Sequence, residues 1–463
     1  MTAVRDKITV IDGGKSGGRP PAGGGGDAGA DDWRLRLTRN RQGDVIANVH
    51  NVALILDHDE AMLGMFGLDE FANRVVLHRD PPWRGNIGRE FTELDGVELA
   101  AWLGKALHDG GYQLTLKTSM VLEVVEAIAR RHKFHPVRDY LNGLVWDGNE
   151  RIPTLFPEFC GTGDDEYHQR VAVIFMVSAV ARILRPGCKV DTMLVLEGEQ
   201  GLGKTRVTQT LFGGDRWYVD AQRSPAEKDF YQDIVGKWGV EIGEMTAFSK
   251  AEANKVKQTL SATSDTYRPS YGRYSRTFPR QCVFVGTTNE HEWQRDHTGG
   301  RRYLPVRVMR VDVERIAAVR DQLWAEAVAR LQRGDEWWSL PARAKEEQDE
   351  RYIDDAWAQP MLWWLSGLGR PDSYDGLSFA ERKPLGEIVE VSVADVMTRA
   401  LGIDTARIDR PGQMRVSAIL TRWGWASYRT TKFGRQARLW YAPPEWQPMR
   451  RPLPQPEEGA DAF

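Results

Sequence analysis

The first 32 residues show no apolar periodicity, and the run PPAGGGGDAGADD at 20–32 offers nothing to bury, which predicts a flexible tail. Order begins at Trp33. Apolar positions at helical spacing predict helices over 48–56, over 95–109 with Val97, Leu99, Ala100, Leu103 and Leu107 inward, and over 118–131 with Val121, Leu122, Val124, Val125 and Ile128 inward. Thr118 or Ser119 would cap the last of these. Residues 33–153 therefore read as a mainly helical domain, in which FHPVRDYLNGLVWDG at 134–148 is better explained by packing than by substrate contact.

From about 166 to 310 the pattern changes to short apolar runs alternating with helical stretches. Strands are predicted at 193–196, 217–219, 238–242 and 282–285, with helices at 168–184, 204–211 and 250–264, so 154–340 reads as an α/β domain around a parallel sheet. Helices are predicted at 312–333 and 341–367, the second opening a helical linker that runs to 390. In 391–448, VSVADVMTRALGI and GQMRVSAILTRWGW are helical patterns, and two strand-like runs flank a turn at Gly434. A winged-helix-like module fits that order. The segment 449–463, containing PLPQPEEGADAF, reads as a tail.

Composition narrows the class. At 463 residues the chain has room for about two to four domains, and 41% hydrophobic with 27% charged residues excludes wholesale disorder and a fibrous architecture. The net charge of −3 confines nucleic-acid contact to local basic patches, one being the nine Lys or Arg from Arg399 to Arg438 set against Asp395, Asp404, Asp409 and Glu445. Cys160, Cys188 and Cys282 lie far apart with no CxxC, which argues against a zinc site or disulfide framework and for a reducing cytosol. The longest apolar run, 171–184, is broken by Arg182 and reads as a buried helix, and no secretory leader is visible. The expectation is a soluble cytoplasmic protein.

The strongest chemical signal is GEQGLGKT at 198–205, which fits G-x-x-x-x-G-K-[ST] between a predicted strand and a predicted helix. The backbone from Gly198 through Glu199, Gln200, Gly201, Leu202 and Gly203, with Arg206 just beyond, would wrap the phosphates of ATP at a helix N-terminus. Lys204 would reach the β- and γ-phosphates and Thr205 would ligate Mg²⁺. Glu241 and Glu244, in KWGVEIGEM, are candidates for holding the metal and orienting water, and which does which stays open. Asn289, ending the strand CVFVGTTN, is placed to sense the γ-phosphate. Arg301 and Arg302 could serve a neighbouring subunit as an arginine finger or form structural ion pairs.

Taken in order, PGCKVDTMLVLEGEQGLGKT, KWGVEIGEM, YRPSYGRYSRTFPRQCVFVGTTN and TGGRRYLPV resemble the virulence-associated protein E family of phages and mobile elements. The ATPase domain of that family is similar to superfamily 3 helicases of the AAA+ class. The resemblance implies an AAA+-like P-loop core, Lys204 and Thr205 as Walker A pair, Glu241 and Glu244 as Walker B acids, Asn289 as sensor, and Arg302 or Arg301 as finger in a homo-oligomeric ring, expected to be a hexamer. Two residues depart from the pattern: Gly239 replaces a bulky strand residue, and Gly300 stands where Asn is common.

In such helicases the segment before the sensor contacts single-stranded DNA in a channel. Here it holds Lys250, Lys255, Lys257, Arg268, Tyr271, Arg273, Tyr274, Arg276 and Arg280, cations and aromatics suited to phosphates and bases or to ion pairs with a neighbour. In the C-terminal module Arg415, Ser417, Thr421 and Arg422 would lie on a recognition helix facing duplex DNA, with Lys432 and Arg435 on the wing, unless the module binds protein. The expected function is a Mg-ATP-dependent DNA helicase or replication motor. The alternatives are an ATP-switched DNA-binding initiator or scaffold that does not unwind, and a defence-related NTPase. No nuclease or primase constellation is visible in the N-terminal third, so priming would need a primase partner.

Overall fold

The computed structural model describes residues 32–227, 229–243, 250–268, 275–294, 300–352, 355–366, 388, 390–432 and 435–444. The chain divides into two compact units, one formed by residues up to Leu68 with Arg74–Lys133, the other by Asp69–Asn73 with Phe134–Phe463. The expected junction at 153 falls inside the second unit, because Val137, Leu141 and Ile152 are buried in its core.

In the first unit α1 (Val49–His58), β1 (Phe66–Asp69), β2 (Arg74–Leu77), α2 (Glu93–Gly104), α3 (Thr118–Ala129) and β3 (Lys133–Phe134) follow in order. Asn48 caps α1 by accepting from the Asn51 amide, and Thr92 and Asp95 form a reciprocal capping box on α2. The Asp95 carboxyl, although burial pushes its pKa up, is held well below the usual range by Arg89 and the Thr92 donors. A small three-stranded sheet, β2-β1-β3, accompanies the three helices and is not anticipated from the sequence. Its strands are at most four residues long, too short for an alternation to stand out. The helix expected over 95–109 ends at Gly104, where the chain turns so that the Tyr112 and Leu114 amides bond Leu103 O.

The second unit continues with α4 (Pro136–Gly143), α5 (Leu155–Cys160), α6 (Glu166–Leu184), β4 (Met193–Glu197), α7 (Lys204–Leu211), β5 (Tyr218–Asp220), α8 (Phe230–Asp233) and β6 (Gly239–Ile242). It then adds α9 (Lys250–Ser261), β7 (Ser264–Tyr267), β8 (Arg276–Pro279), β9 (Val283–Thr288), β10 (Tyr303–Arg307), α10 (Val313–Arg333), α11 (Ala344–Glu350) and α12 (Ala358–Leu365). Five strands form an all-parallel sheet in the order β10-β4-β9-β6-β5.

Alternation along these strands serves two cores. Leu194, Leu196, Val283, Val285, Leu304 and Val306 join the cluster with α6, α7 and α10, whereas Met193, Val195, Val240, Ile242 and Phe284 join Phe230, Val256 and Leu260 on the other side. Burial on both faces is why the strands read as unbroken apolar runs. The helix α6 has the length and hydropathy to cross a membrane, yet 14 of its 19 residues are buried in this core.

Gly239 has a packing reason. A Cβ there would lie 2.3 Å from Cδ2 of Phe212, whose ring sits 5.1 Å from that of Trp238 and 5.5 Å from that of Trp324. The strand lacks a bulky residue because an aromatic ring occupies the space. Gly300 is buried in the same way, with a Cβ falling 2.5 Å from Gln294 Nε2.

Two helix expectations end early. The one expected over 250–264 stops at Ser261 because 264–267 pair antiparallel with β8. The one expected over 341–367 splits after Glu350, where Arg351 O accepts from the Trp293 and Gln294 amides and cannot continue a helix. The chain then adds β11 (Glu390–Ser392), α13 (Val393–Asp395) running into a π-helical turn at Val396–Ala400, α14 (Arg410–Arg422), β12 (Ala426–Lys432) and β13 (Arg435–Tyr441). The three strands order β11-β13-β12, antiparallel. Met361 and Leu365 of α12 are buried with Val396, Val416, Leu420 and Trp440, so part of the expected linker is core of this module.

Candidate nucleotide site

The chain leaves β4 at Gly198 and re-enters regular structure at Lys204, the first residue of α7. Gly198 has φ +150°, and a Cβ on it would lie 2.6 Å from Val308 O; Gly203 has φ +88° and caps α7. Both conformations favour glycine, so the motif's end glycines are set by backbone geometry. Gln200, Gly201, Gly203, Lys204 and Thr205 line a cavity of about 660 Å³ with Asp220, Glu241, Gly243, Thr287, Thr288, Asn289 and Glu290. Within the 198–206 stretch Glu199, Gln200, Gly201 and Arg206 are exposed, while Gly198, Leu202 and Gly203 are half-buried.

Lys204 is 8% exposed. Its Nζ donates to Gly198 O at 2.8 Å, Glu199 O at 2.9 Å and Asn289 Oδ1 at 2.9 Å. All three acceptors are neutral, so the ammonium is satisfied in hydrogen bonds but not in charge. Burial lowers its pKa from the ordinary lysine value, opposed by the charge of Glu241.

Glu241 is buried, and its carboxylate takes hydroxyl donors from three elements. Thr205 Oγ1 donates to Oε1 at 2.8 Å and Thr287 Oγ1 to the same atom at 2.6 Å, while the Tyr218 hydroxyl donates to Oε2. Burial, with the neighbouring Glu241 charge, pushes the Tyr218 pKa up, which keeps that hydroxyl protonated as a donor. Hydrogen bonds to a charged acceptor contribute about 1.5–3 kcal/mol each, so these three hydroxyls do much to hold the carboxylate in place. These oxygen donors suit a hard divalent cation: Thr205 supplies a hydroxyl and Glu241 a carboxylate on one edge of the cavity that Lys204 also lines. Among the described residues no cluster of three His, Cys, Asp or Glu forms a metal site made of protein alone.

The sheet order brings these groups together. β9 lies between β4 and β6, with Leu196 opposite Thr287 and Glu241 opposite Val285, so the carboxyl ends of three neighbouring strands deliver the loop, Thr287 with Asn289, and Glu241. Ligands of parallel sheets gather at that end. Beneath the loop, Glu197 accepts from Arg351 Nε at 2.7 Å, and Arg351 Nη1 donates to Glu347 Oε2 at 2.6 Å, all three being buried. Glu244 lies outside the described residues. Arg301 is exposed, whereas Arg302 is half-buried and its Nε donates to Ser261 Oγ at 3.1 Å.

Sequence reasoning missed Tyr218, Thr208 and Asp220. Asp220 lies opposite Glu241 in the β5/β6 register and lines the cavity. A strand motif shows that β5 exists but not that it pairs with β6, and no spacing rule reaches from Tyr218 to Glu241.

The nucleic-acid candidates fare unevenly. Lys255 and Lys257 on α9 are half-buried, and Arg268 and Arg276, at the end of the β7/β8 pair where the two strands are connected, are exposed. Arg273, Tyr271 and Tyr274 lie outside the described residues. Arg280 is corrected to a structural role: it is 1% exposed, pairs with Asp265, and stacks over the Phe284 ring at 5.3 Å.

On α14, Arg415 donates from Nε to Asp355 Oδ2 at 2.6 Å and lies 4.1 Å over the Trp357 ring. Arg422 lies 3.9 Å over the Tyr352 ring. Both guanidinium groups are thus engaged within the chain, whereas Arg410, Gln413, Met414 and Thr421 on the same helix are exposed. Lys432 ends β12 and Arg435 begins β13, the two being paired across the strands, and Gly434 lies outside the described residues.

Residues 141–355 match the family model of the virulence-associated protein E-like domain. No curated protein matches the chain. Solved structures similar to it include the apo structure of the NrS-1 C terminal region, at 11% identity and TM-score 0.44, covering 82% of this chain and 96% of that one. An A form apo structure of the same region has 10% identity, TM-score 0.44 and the same coverages, and another A form has 11% identity and TM-score 0.41 over 65% of this chain and 78% of that one.

Proposed function

We propose, on the premise that residues 141–355 of this chain are a virulence-associated protein E-like domain, that it hydrolyses Mg-ATP at subunit interfaces to drive movement on DNA in the replication of a phage or mobile element. The observation that carries this reading is the meeting of Lys204 with Asn289 and of Thr205 with Glu241 around one cavity. The terminal phosphates fit the loop 198–203, where Lys204 and the first amides of α7 face them. Mg²⁺, when bound, would neutralise the charge of the phosphates. Thr205 and Glu241 are the residues that would hold it. Asn289, whose Oδ1 accepts from the lysine, is assigned to sensing the γ-phosphate, and Glu244 to orienting water.

Arg301, exposed at the end of the segment before β10, is the better disposed of the two arginines to reach a neighbour's nucleotide in a hexameric ring, since Arg302 is engaged with Ser261. Arg268 and Arg276 on the hairpin, with Lys255 and Lys257 on α9, are assigned to single-stranded DNA in the channel. The β11-α13-α14-β12-β13 module follows the order of a winged helix, and we assign it duplex DNA. Any priming step is left to a primase partner.

ATP turnover and strand displacement on forked DNA, run side by side, test the reading. Turnover with unwinding, both lost in Lys204→Ala, supports it. Turnover without unwinding moves the protein to the ATP-switched initiator class, and full turnover in Lys204→Ala sinks the site assignment.

A further inference from the structure

Glu241 meets donors on two sides, and the second side has no role yet. On Oε1 the partners are Thr205 and Thr287, the first of which is the hydroxyl assigned to the cation. On Oε2 the partner is Tyr218, from β5 on the far side of β6. The tyrosine ring is stacked on Phe212 at a centroid distance of 6.1 Å and is 3% exposed, so its direction is fixed by packing. Its oxygen also lies 2.7 Å from Thr208 Oγ1. Thr208 is one turn along α7 from Thr205 and fully buried. The phenol proton goes to Oε2 of Glu241, and the single Thr208 proton is shared between the phenol oxygen and the Thr205 carbonyl oxygen 3.0 Å away.

We infer that Tyr218 is a positioning residue for the divalent cation: held by Thr208, it anchors one oxygen of Glu241 so that the other stays aimed at Thr205. This rests on the Mg-nucleotide reading of the site. Without the anchor the carboxylate keeps only its two hydroxyl donors on Oε1, Oε2 loses its hold, and the aim of Oε1 toward Thr205 is less tightly preset. The ring itself would serve equally well as phenylalanine if packing were its only task, because Phe212 and the neighbouring aromatics contact carbon atoms.

The test is Tyr218→Phe in the full chain, with a fluorescent ADP analogue titrated in EDTA and then against rising MgCl₂, and with Mn²⁺ binding followed by electron paramagnetic resonance in the presence of ADP. Affinity in EDTA should match the parent within about twofold, while the Mg²⁺ and Mn²⁺ midpoints rise roughly tenfold or more, the factor expected for one hydrogen bond to a charged group. Thr208→Val should move the midpoints the same way by less, and it carries the test if Tyr218→Phe does not fold. Unchanged midpoints, or a loss of affinity equal in EDTA and in Mg²⁺, would overturn the role of Tyr218. If the parent binds ADP with no dependence on Mg²⁺, or if Lys204→Ala binds as the parent does, the nucleotide reading itself fails, which is a different result.

Discussion

Replacing Gly239 by alanine puts a methyl carbon 2.3, 2.6 and 2.7 Å from Cδ2, Cε2 and Cγ of Phe212. Carbon atoms rest comfortably at about 3.5–4.0 Å, so the ring must retreat by roughly 1 Å. It has nowhere to go: Phe212 is 0% exposed, and its centroid lies 6.0 Å from Phe175, 6.1 Å from Tyr218, 5.1 Å from Trp238 and 5.5 Å from Trp324. Overpacking of this kind costs about 1–3 kcal/mol. Removing the glycine's unfolded-state freedom offsets about 0.5–1 kcal/mol of that, leaving a net loss of up to about 2.5 kcal/mol, centred near 1 kcal/mol. At about 1–2 °C per kcal/mol for a unit as long as the second one, its calorimetric transition should drop by about 1–4 °C. Repeating the substitution in a Phe212→Leu background supplies the control, since a smaller side chain leaves room and the cost of the added methyl should shrink. A Gly239→Ala protein that melts at or above the parent temperature would refute the packing argument, as would an identical cost in both backgrounds.

Four further outcomes are expected. Lys204→Ala should abolish ATP turnover, read by phosphate release. Arg301→Ala should keep nucleotide binding but lose turnover in the assembled form, whereas Arg302→Ala should lower the melting temperature slightly through loss of the Ser261 bond, worth about 0.5–1.5 kcal/mol. Arg415→Ala should cost stability of about 1 kcal/mol from the Asp355 pair and the Trp357 stack, without changing duplex affinity or its salt dependence; a reduced salt slope would return Arg415 to the DNA face. Burial lowers the His135 pKa below 6.5, despite the Gln281 acceptor. The unfolded chain therefore takes up a proton that the folded chain resists, and the associated stability is complete above pH 6.5 and lost as pH falls below it. His135→Asn, which can still cap α4, should flatten that part of the acid limb in denaturant titrations.

The α/β core was legible because its strands are buried on both faces, which turns alternation into plain apolar runs, and because the glycine loop sits between one such run and a helix. Lys204, Thr205, Glu241 and Asn289 could each be named from local motifs. Their meeting could not be derived from those motifs alone, since it depends on β9 lying between β4 and β6, an order set by pairing across 40 and more residues. Tyr218 was invisible for the same reason: its hydroxyl matters only because β5 pairs with β6. The internal partners of Arg415 and Arg422 were not legible, because a cation on an amphipathic helix looks alike whether it faces phosphate or an aspartate and aromatic rings contributed from 352–357. The small sheet of the first unit escaped because two- and four-residue strands carry no periodic signal.

Lys204 starts its working cycle with every hydrogen bond already made, to two loop carbonyls and an amide oxygen. On the proposed reading, nucleotide entry would be an exchange of partners, and affinity would be the difference between anionic and neutral acceptors. Ligands that carry a full negative charge on the terminal group would win that exchange, and uncharged mimics of similar shape would lose it. A loop of this kind would filter by charge before shape, and its selectivity should fade as the ligand's phosphates are esterified one after another.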